Sequence, residues 1–374
     1  MSIDVRSILI LSRVPGIGPN RLRFLINHFQ DPRLVFEAPP KQLVAVEGIE
    51  RRTALSIVSF FRGTGPNEAR RFADDQLSRL NRLNGRIVTF WDREYPSNLR
   101  RIYDPPPFVF VRGAFCESDA TSIALVGTRS PSLYGTQMTE RFSTELARLG
   151  LPVISGLARG IDTTAHTATL KARGRTVAVI GSGVDIIYPP ENRQLAERII
   201  GEGAVVSEYL MGTKPDAGNF PRRNRIISGI ALATVIVETG VDGGAMITAT
   251  TALDQNREIF AIPSAVNEKR KSGTNQLIKE GRAMLAESVE DVIAELAPKL
   301  KAVLADHPSM RTDPPPDLTL FERQLLDAMS DDSIHIDTLA DRAGVSTADA
   351  LVHLLSLEFK GMIRQTPGKM FVRV

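Results

Sequence analysis

Apolar residues recur at two different periods along this chain, and the change of period marks out its parts. At the start the spacing is helical: Ile8, Leu9 and Leu11, then Leu22, Leu25, Ile26 and Phe29. Between these runs lies Val14-Pro15-Gly16-Ile17-Gly18-Pro19, and Val46-Glu47-Gly48-Ile49-Glu50 repeats it in degenerate form before a helix expected over Thr53–Phe61. A charge-dense helix is expected over Asn67–Leu83. The pattern then changes to short β-branched runs, most followed by glycine and a helical stretch. These predict strands over Arg86–Phe90, Ser122–Val126, Pro152–Ser155, Thr176–Ile180, Ala204–Ser207, Ala233–Glu238 and Glu258–Ile262. Crossover helices are expected over Thr136–Leu149, Thr163–Ala172, Gln194–Gly201, Asn224–Ile230, Ala245–Gln255 and Thr274–Glu280. Strand, crossover and strand at this spacing predict a parallel, doubly wound sheet.

Residues 298–316 hold Pro298, Pro308 and Pro314-Pro315-Pro316 with few large apolar residues, which predicts an extended linker. Beyond it, helices are expected over Leu318–Met329, Ile336–Ala343 and Thr347–Phe359, with Gly344 as a turn. Two strands follow around Pro367-Gly368, so the tail reads as a winged helix. The fold class is therefore α/β: a Rossmann-like doubly wound parallel sheet. The expected domains are a helical segment (1–84), a Rossmann-like core (85–297), the linker (298–316) and the winged helix (317–374).

Ligands of such sheets sit at the carboxyl ends of the strands, so the residues after each strand carry the chemistry. Here they are Gly127-Thr128-Arg129, Gly156-Leu157-Ala158-Arg159-Gly160-Ile161-Asp162, Gly181-Ser182-Gly183-Val184-Asp185 and Thr239-Gly240-Val241-Asp242-Gly243-Gly244. Glycine lets backbone amides approach an anion closely, and a helix start behind it adds its dipole. None of these is a full G-x-G-x-x-G or G-x-x-x-x-G-K-[ST], so neither a dinucleotide nor a Walker-type ATPase is supported. The densest cluster is Phe220-Pro221-Arg222-Arg223-Asn224-Arg225, three arginines and an asparagine behind an aromatic. The guanidinium fork suits phosphate, and an aromatic beside it offers a face to a base. The expected nucleic-acid contacts are Gly127, Thr128, Arg129, Gly156, Arg159, Gly181, Phe220, Arg222, Arg223, Asn224 and Arg225. The plain alternative is a solvated helix start, with Phe220 in the core and Arg225 held by a buried carboxylate.

Charge sharpens this picture. The 374 residues carry a net +3, unevenly spread. Residues 1–115 hold 18 Lys and Arg against 11 Asp and Glu, a local +7; residues 317–374 hold 6 against 9, or −3; the middle is −1. The first part is diffusely basic, as nucleic-acid accessory domains often are, whereas an anion site in the middle must be a local cluster. Thr347–Phe359 contains Asp349 and Glu358 and no basic residue, so that helix is not expected to grip phosphate, and protein contact or scaffolding is expected of the winged helix. The Pro-Gly-Ile-Gly turn resembles a helix-hairpin-helix, which can present amides to a phosphate; packing two helices is the expectation preferred here. Cys116 is the only cysteine, so no internal disulfide forms, and the five scattered histidines predict no zinc site. No cofactor is expected. The first residues lack a secretory apolar run and no segment reads as a bilayer span, so a cytoplasmic location without a membrane partner is expected.

At these residues the chain resembles the DNA-processing protein A (DprA/Smf) family over nearly its full length. The matching strings are Tyr95-Pro96 with Leu99 and Asp104-Pro105-Pro106; Val126-Gly127-Thr128-Arg129 with Tyr134-Gly135; Ser155 to Asp162 with Ala165-His166; Gly181 to Asp185 with Tyr188-Pro189 and Asn192; Ser207-Glu208; and Phe220 to Gly229. The resemblance implies a sterile-alpha-motif-like start, an extended Rossmann core and a winged helix. It also implies binding and protection of single-stranded DNA during natural transformation, loading of the RecA recombinase, and a homodimer. It places Arg129 and the Phe220–Arg225 stretch in the DNA pocket, and no residue on the RecA or dimer surfaces.

Two other readings compete. The core is similar to LOG-type nucleotide phosphoribohydrolases, but Glu238-Thr239-Gly240-Val241-Asp242-Gly243-Gly244 lacks the proline and the downstream glutamate of their loop. Asp162 and His166 could suggest an acid–base pair; a helix-capping aspartate and a packed histidine are preferred. A duplex-DNA regulator built on the winged helix is disfavoured by the acidic helix.

Overall fold

A computed structural model describes residues 3–268, 271–305, 318–329, 334–359, 362–366 and 368–373. Residues 1–306 and 307–374 form two compact units.

The first unit is organised by a nine-stranded sheet: β1 (Gly85–Thr89), β2 (Phe108–Gly113), β3 (Ile123–Val126), β4 (Val153–Ser155), β5 (Thr176–Val179), β6 (Ala204–Ser207), β7 (Ala233–Ile236), β8 (Glu258–Ala261) and β9 (Met284–Leu285). Their order is β1-β2-β6-β5-β4-β3-β7-β8-β9. From β6 to β9 every neighbouring pair is parallel, while β2 pairs antiparallel with both β1 and β6. The parallel strands are short and almost wholly apolar because both faces are covered. Ala124 and Val126 of β3 point to a cluster with Ile226, Ile227 and Ile230 of the helix Asn219–Ile230 and Ala245 and Ala249 of the helix Gly244–Asp254. Ile123 and Leu125 point the other way, to Phe142 and Leu146 of the helix Leu133–Arg148 and to Val292 and Leu296 of the helix Val289–Ala305.

Strands β2 and β9 were absent from the sequence reading. The Phe-Val-Phe-Val run of β2 follows three prolines, and nothing in its period indicates an antiparallel strand inserted beside β6. Residues 298–305, expected to open an extended linker, instead complete the helix Val289–Ala305 with Pro298 inside it. The remainder of that expected linker falls outside the described residues.

Six helices precede the sheet: Val5–Leu11, Pro19–Phe29, Leu34–Glu37, Pro40–Val44, Arg51–Arg62 and Gly65–Asn81. Gly16 (φ +86°) and Gly48 (φ +73°) make the two hairpin turns. The core of these helices runs without a break into the sheet: Ile8, Leu25 and Ile57 share one apolar cluster with Ile87, Phe108, Phe110 and Ala178. A polar latch reinforces it. Arg79 Nη2 lies 2.6 Å from Asp185 Oδ2, and Met211 N donates to Gln76 Oε1 at 2.8 Å.

The second unit holds the helices Leu320–Ala328, Ile336–Ala343 and Thr347–Phe359 and the strands β10 (Ile334–His335), β11 (Ile363–Thr366) and β12 (Met370–Arg373). These strands form an antiparallel sheet in the order β10-β12-β11 over a core that includes Leu326, Leu339, Leu354 and Phe371. Gly344, left-handed at φ +67°, ends the second helix. This is the winged helix expected from the pattern, with β10 as an added short strand.

Candidate nucleic-acid interface

From β3 the chain steps outward through β4, β5 and β6, then returns to pair β7 on the other side of β3. The crevice at the carboxyl ends of β3 and β7 is therefore the topological switch point, where open α/β sheets hold ligands. A cleft of about 520 Å³ lies there. Gly127, Thr128 and Arg129 line one side and Thr239, Gly240 and Gly244 another, with Phe220 and Asn224 on the start of the helix Asn219–Ile230.

The five arginines expected at the site do different things. Arg129 is exposed, and its guanidinium carbon sits 5.0 Å from the centroid of the Phe220 ring. Phe220 is half-buried, with Tyr188 at a centroid distance of 6.1 Å. Arg222 is exposed one residue past Pro221. Arg223 points inward and is 3% exposed. Its Nη1 donates to Gly156 O at 2.5 Å and to Val179 O, tying the ends of β4 and β5 to the helix. Burial lowers its pKa to about 10. Arg225 is held by Glu208 Oε2 and by Asp104, donating to Asp104 O at 2.8 Å and lying 3.3 Å from Asp104 Oδ2. Of Arg223 and Arg225, both expected on the ligand face, Arg225 is taken up by acids, while Arg223 lines the cleft with its guanidinium bound to backbone carbonyls. Arg159 is half-exposed, with Glu191 at 2.5 Å across a surface pair.

The glycines also take different roles from those expected. A Cβ on Gly156 would lie 2.4 Å from Arg223 Nη1, and one on Gly181 would lie 3.2 Å from Phe220 Cδ1. Both glycines leave room for these side chains, and both line a small hollow with Arg129, Arg159 and Phe220. Gly156 N donates to Asp162 Oδ2 at 3.1 Å, and Thr128 N donates to Glu238 O at 2.8 Å, so both amides are used internally. Arg129, Phe220, Asn224 and the Gly127-Thr128 edge line the cleft, and Arg222 stands exposed on the same helix turn as Pro221. Sequence reasoning gave no role to Tyr188, nor to Asp104 and Glu208 as the partners of Arg225. All three stand inside strings it quoted, but pairing across 17 and 121 residues has no local signature.

Beneath the cleft lies a buried polar group. Asp162 accepts from Gly156 N and, at 3.3 Å, from Ala158 N; burial raises its pKa while the field of Arg223 opposes the rise. His166 is fully buried, with Nδ1 2.7 Å from Thr176 Oγ1. Because that hydroxyl donates to Val153 O at 2.7 Å, His166 Nδ1 carries the hydrogen. Glu238, 3% exposed, accepts from Ser132 N at 3.0 Å and from Ser132 Oγ, and Lys271 Nζ lies 3.1 Å away. Among the described residues no group of three His, Cys, Asp or Glu side chains could hold a metal, and no helix is long and apolar enough to cross a membrane.

Burial pushes the His166 pKa from 6.5 down to about 3. Between those values the unfolded chain binds a proton that the folded chain does not. Stability is therefore full above the unfolded value and falls as pH drops through the window, at a limiting rate of about 1.4 kcal/mol per pH unit. Urea midpoints measured at about pH 7 and pH 5 should fall more steeply for the parent than for His166→Gln. Parallel pH dependence in the two proteins would show that His166 is not the titrating group.

Comparison with known proteins is consistent along the chain. The family model described as DNA recombination-mediator protein A matches residues 86–297, a DprA winged helix domain model matches 309–369, and a SAM-like helix-hairpin-helix tandem matches 8–62. Protein Smf of Synechocystis sp. is 32% identical over 396 residues, spanning 98% of each chain. DNA processing protein DprA of Bacillus subtilis is 35% identical over 267 residues, 71% of this chain and 87% of that one. Among solved structures, DprA from Streptococcus pneumoniae superposes with a TM-score of 0.66 at 30% identity, over 79% of this chain and 99% of that one. DNA processing protein A from Helicobacter pylori, solved for its single-stranded DNA binding mode, gives a TM-score of 0.51 at 27% identity, over 57% of this chain and 97% of that one.

Proposed function

This chain belongs to the DNA recombination-mediator protein A (DprA/Smf) family, and from that premise we propose that it binds single-stranded DNA at the switch-point cleft. The observation that carries the reading is the exposed Arg129 over the Phe220 ring at the carboxyl edge, with Arg222 on the same helix start as Phe220. A guanidinium there can take a phosphate while aromatic surface accepts a base, a sequence-tolerant grip. In this reading the protein works in the cytoplasm as a homodimer, shields incoming DNA and passes it to the RecA recombinase in natural transformation. It acts as a binding protein rather than an enzyme. The carboxylates Asp162 and Glu238 accept hydrogen bonds from the protein itself, which suits holding loops in place rather than cleaving a glycosidic bond.

A salt titration with an unstructured single-stranded oligonucleotide, beside a blunt duplex of the same length, tests the reading. Tighter binding of the single strand, weakening linearly in log salt, is expected. Equal affinity for the duplex would overturn it. The second unit has its own core and an acidic balance, so a protein ending at Ala305 should shift the single strand as the full chain does. Loss of binding by a truncated protein that still melts cooperatively would move the site out of the first unit.

A further inference from the structure

Tyr103 is 92% exposed, an unusual state for a large aromatic side chain. Its loop is nevertheless fixed. Ile102 before it is 6% exposed, and Pro105, Pro106 and Pro107 behind it are buried. Asp104 is gripped by Arg225 through both its carbonyl and its carboxylate. The ring is thus held out in solvent by neighbours that are anchored on both sides.

Its position matters as much as its exposure. Strand β2, which this loop feeds, runs antiparallel to β6 with Phe110 opposite Ser207, so the loop lies at the same carboxyl edge as the cleft. Arg225, which holds the loop, and Arg222 are three residues apart on the helix Asn219–Ile230, neighbours on one face. Asn224 and Pro221 of that helix line the cleft. A strand leaving the cleft over Arg222 therefore runs toward Tyr103. Glu208 and Asp104, the acids along this route, are both engaged by Arg225, and Arg101 is exposed on the loop.

We propose that Tyr103 is a second stacking platform, outside the cleft, on which a base of the single strand rests after crossing Arg222. The proposal rests on the cleft being the single-strand site. It makes the footprint longer than the cleft and gives the loop Arg101–Asp104 a binding role.

The test compares oligothymidylates of about five and about fifteen nucleotides, a range that brackets the footprint of single-strand binding sites. Tyr103→Ala should weaken the longer probe roughly five- to hundredfold and leave the shorter one and the salt slope unchanged, because stacking neutralises no phosphate. Tyr103→Phe should bind both like the parent. Tyr103→Trp should show fluorescence quenching with the longer probe only. Arg129→Ala, run in parallel, should weaken both probes. If it does and Tyr103→Ala binds the longer probe like the parent, the platform is disproved while the cleft stands. Equal losses on both probes would likewise disprove a separate platform. If Arg129→Ala changes neither probe, the cleft reading fails first. Tyr103 makes no burial contribution, so melting points of its variants should match the parent and keep each outcome interpretable.

Discussion

Arg129→Ala should lower affinity for single-stranded DNA roughly ten- to hundredfold, the loss expected when a hydrogen bond to a charged group is removed. Arg129 is exposed at the cleft and lies over Phe220, with no carboxylate partner among the described residues. Losing one phosphate contact should also flatten the slope of log affinity against log salt by about 0.7. Arg129→Lys should restore the slope but not the full affinity, since an ammonium keeps the charge and loses the bidentate fork and the broad contact with the Phe220 ring. Phe220→Ala is a poorer probe, because that ring also covers Gly181 and its removal disturbs the loop after β5. An Arg129→Ala protein that melts like the parent and binds with the parent's affinity and slope would end the model.

Arg223→Ala should act on stability instead. Two buried carbonyls, Gly156 O and Val179 O, would lose their donor, and buried Asp162 would lose the cation that offsets its burial. Breaking a buried, hydrogen-bonded charge in this way costs on the order of 3–5 kcal/mol. The urea midpoint of the first unit should fall accordingly. Gly156→Ala should imitate it, since the new Cβ would stand 2.4 Å from Arg223 Nη1 with the β4 backbone fixed on the other side. Arg222→Ala, one residue earlier and exposed, should melt like the parent. A double replacement of Arg222 and Arg223 would mix a binding effect with an unfolding one. Melts of Arg222→Ala and Arg223→Ala that superpose would refute the inward assignment of Arg223.

The difference between these neighbours was written in the sequence. Arg223, Ile226, Ile227 and Ile230 stand at i, i+3, i+4 and i+7, the spacing of a buried helical face, whereas Arg222 falls off it. Reading the arginines as one cluster of charge hid that period. The parallel strands β3 to β8 were legible because burial on both faces makes them almost uniformly apolar and most are followed by glycine, whereas β9, of two residues, is too short to show a period. The antiparallel β2 was not, since which strands pair is settled by contacts between segments far apart in the chain. The carboxyl-edge location of the site followed from the fold class alone. The fate of each arginine did not, because it depends on acids such as Glu208, which lies 17 residues from Arg225.

The unbroken apolar cluster from Ile8 to Ala178 has one more consequence. The opening helices are part of the cover of one face of the sheet, so the boundary near residue 84 divides motifs and not energies. Heat or denaturant applied to the first unit should therefore meet a single cooperative body, pinned also by the Arg79–Asp185 latch. The opening segment could not be exchanged for another helical module of equal length by cutting at that boundary: the graft would have to reproduce the footprint on Phe108 and Phe110, side chain by side chain.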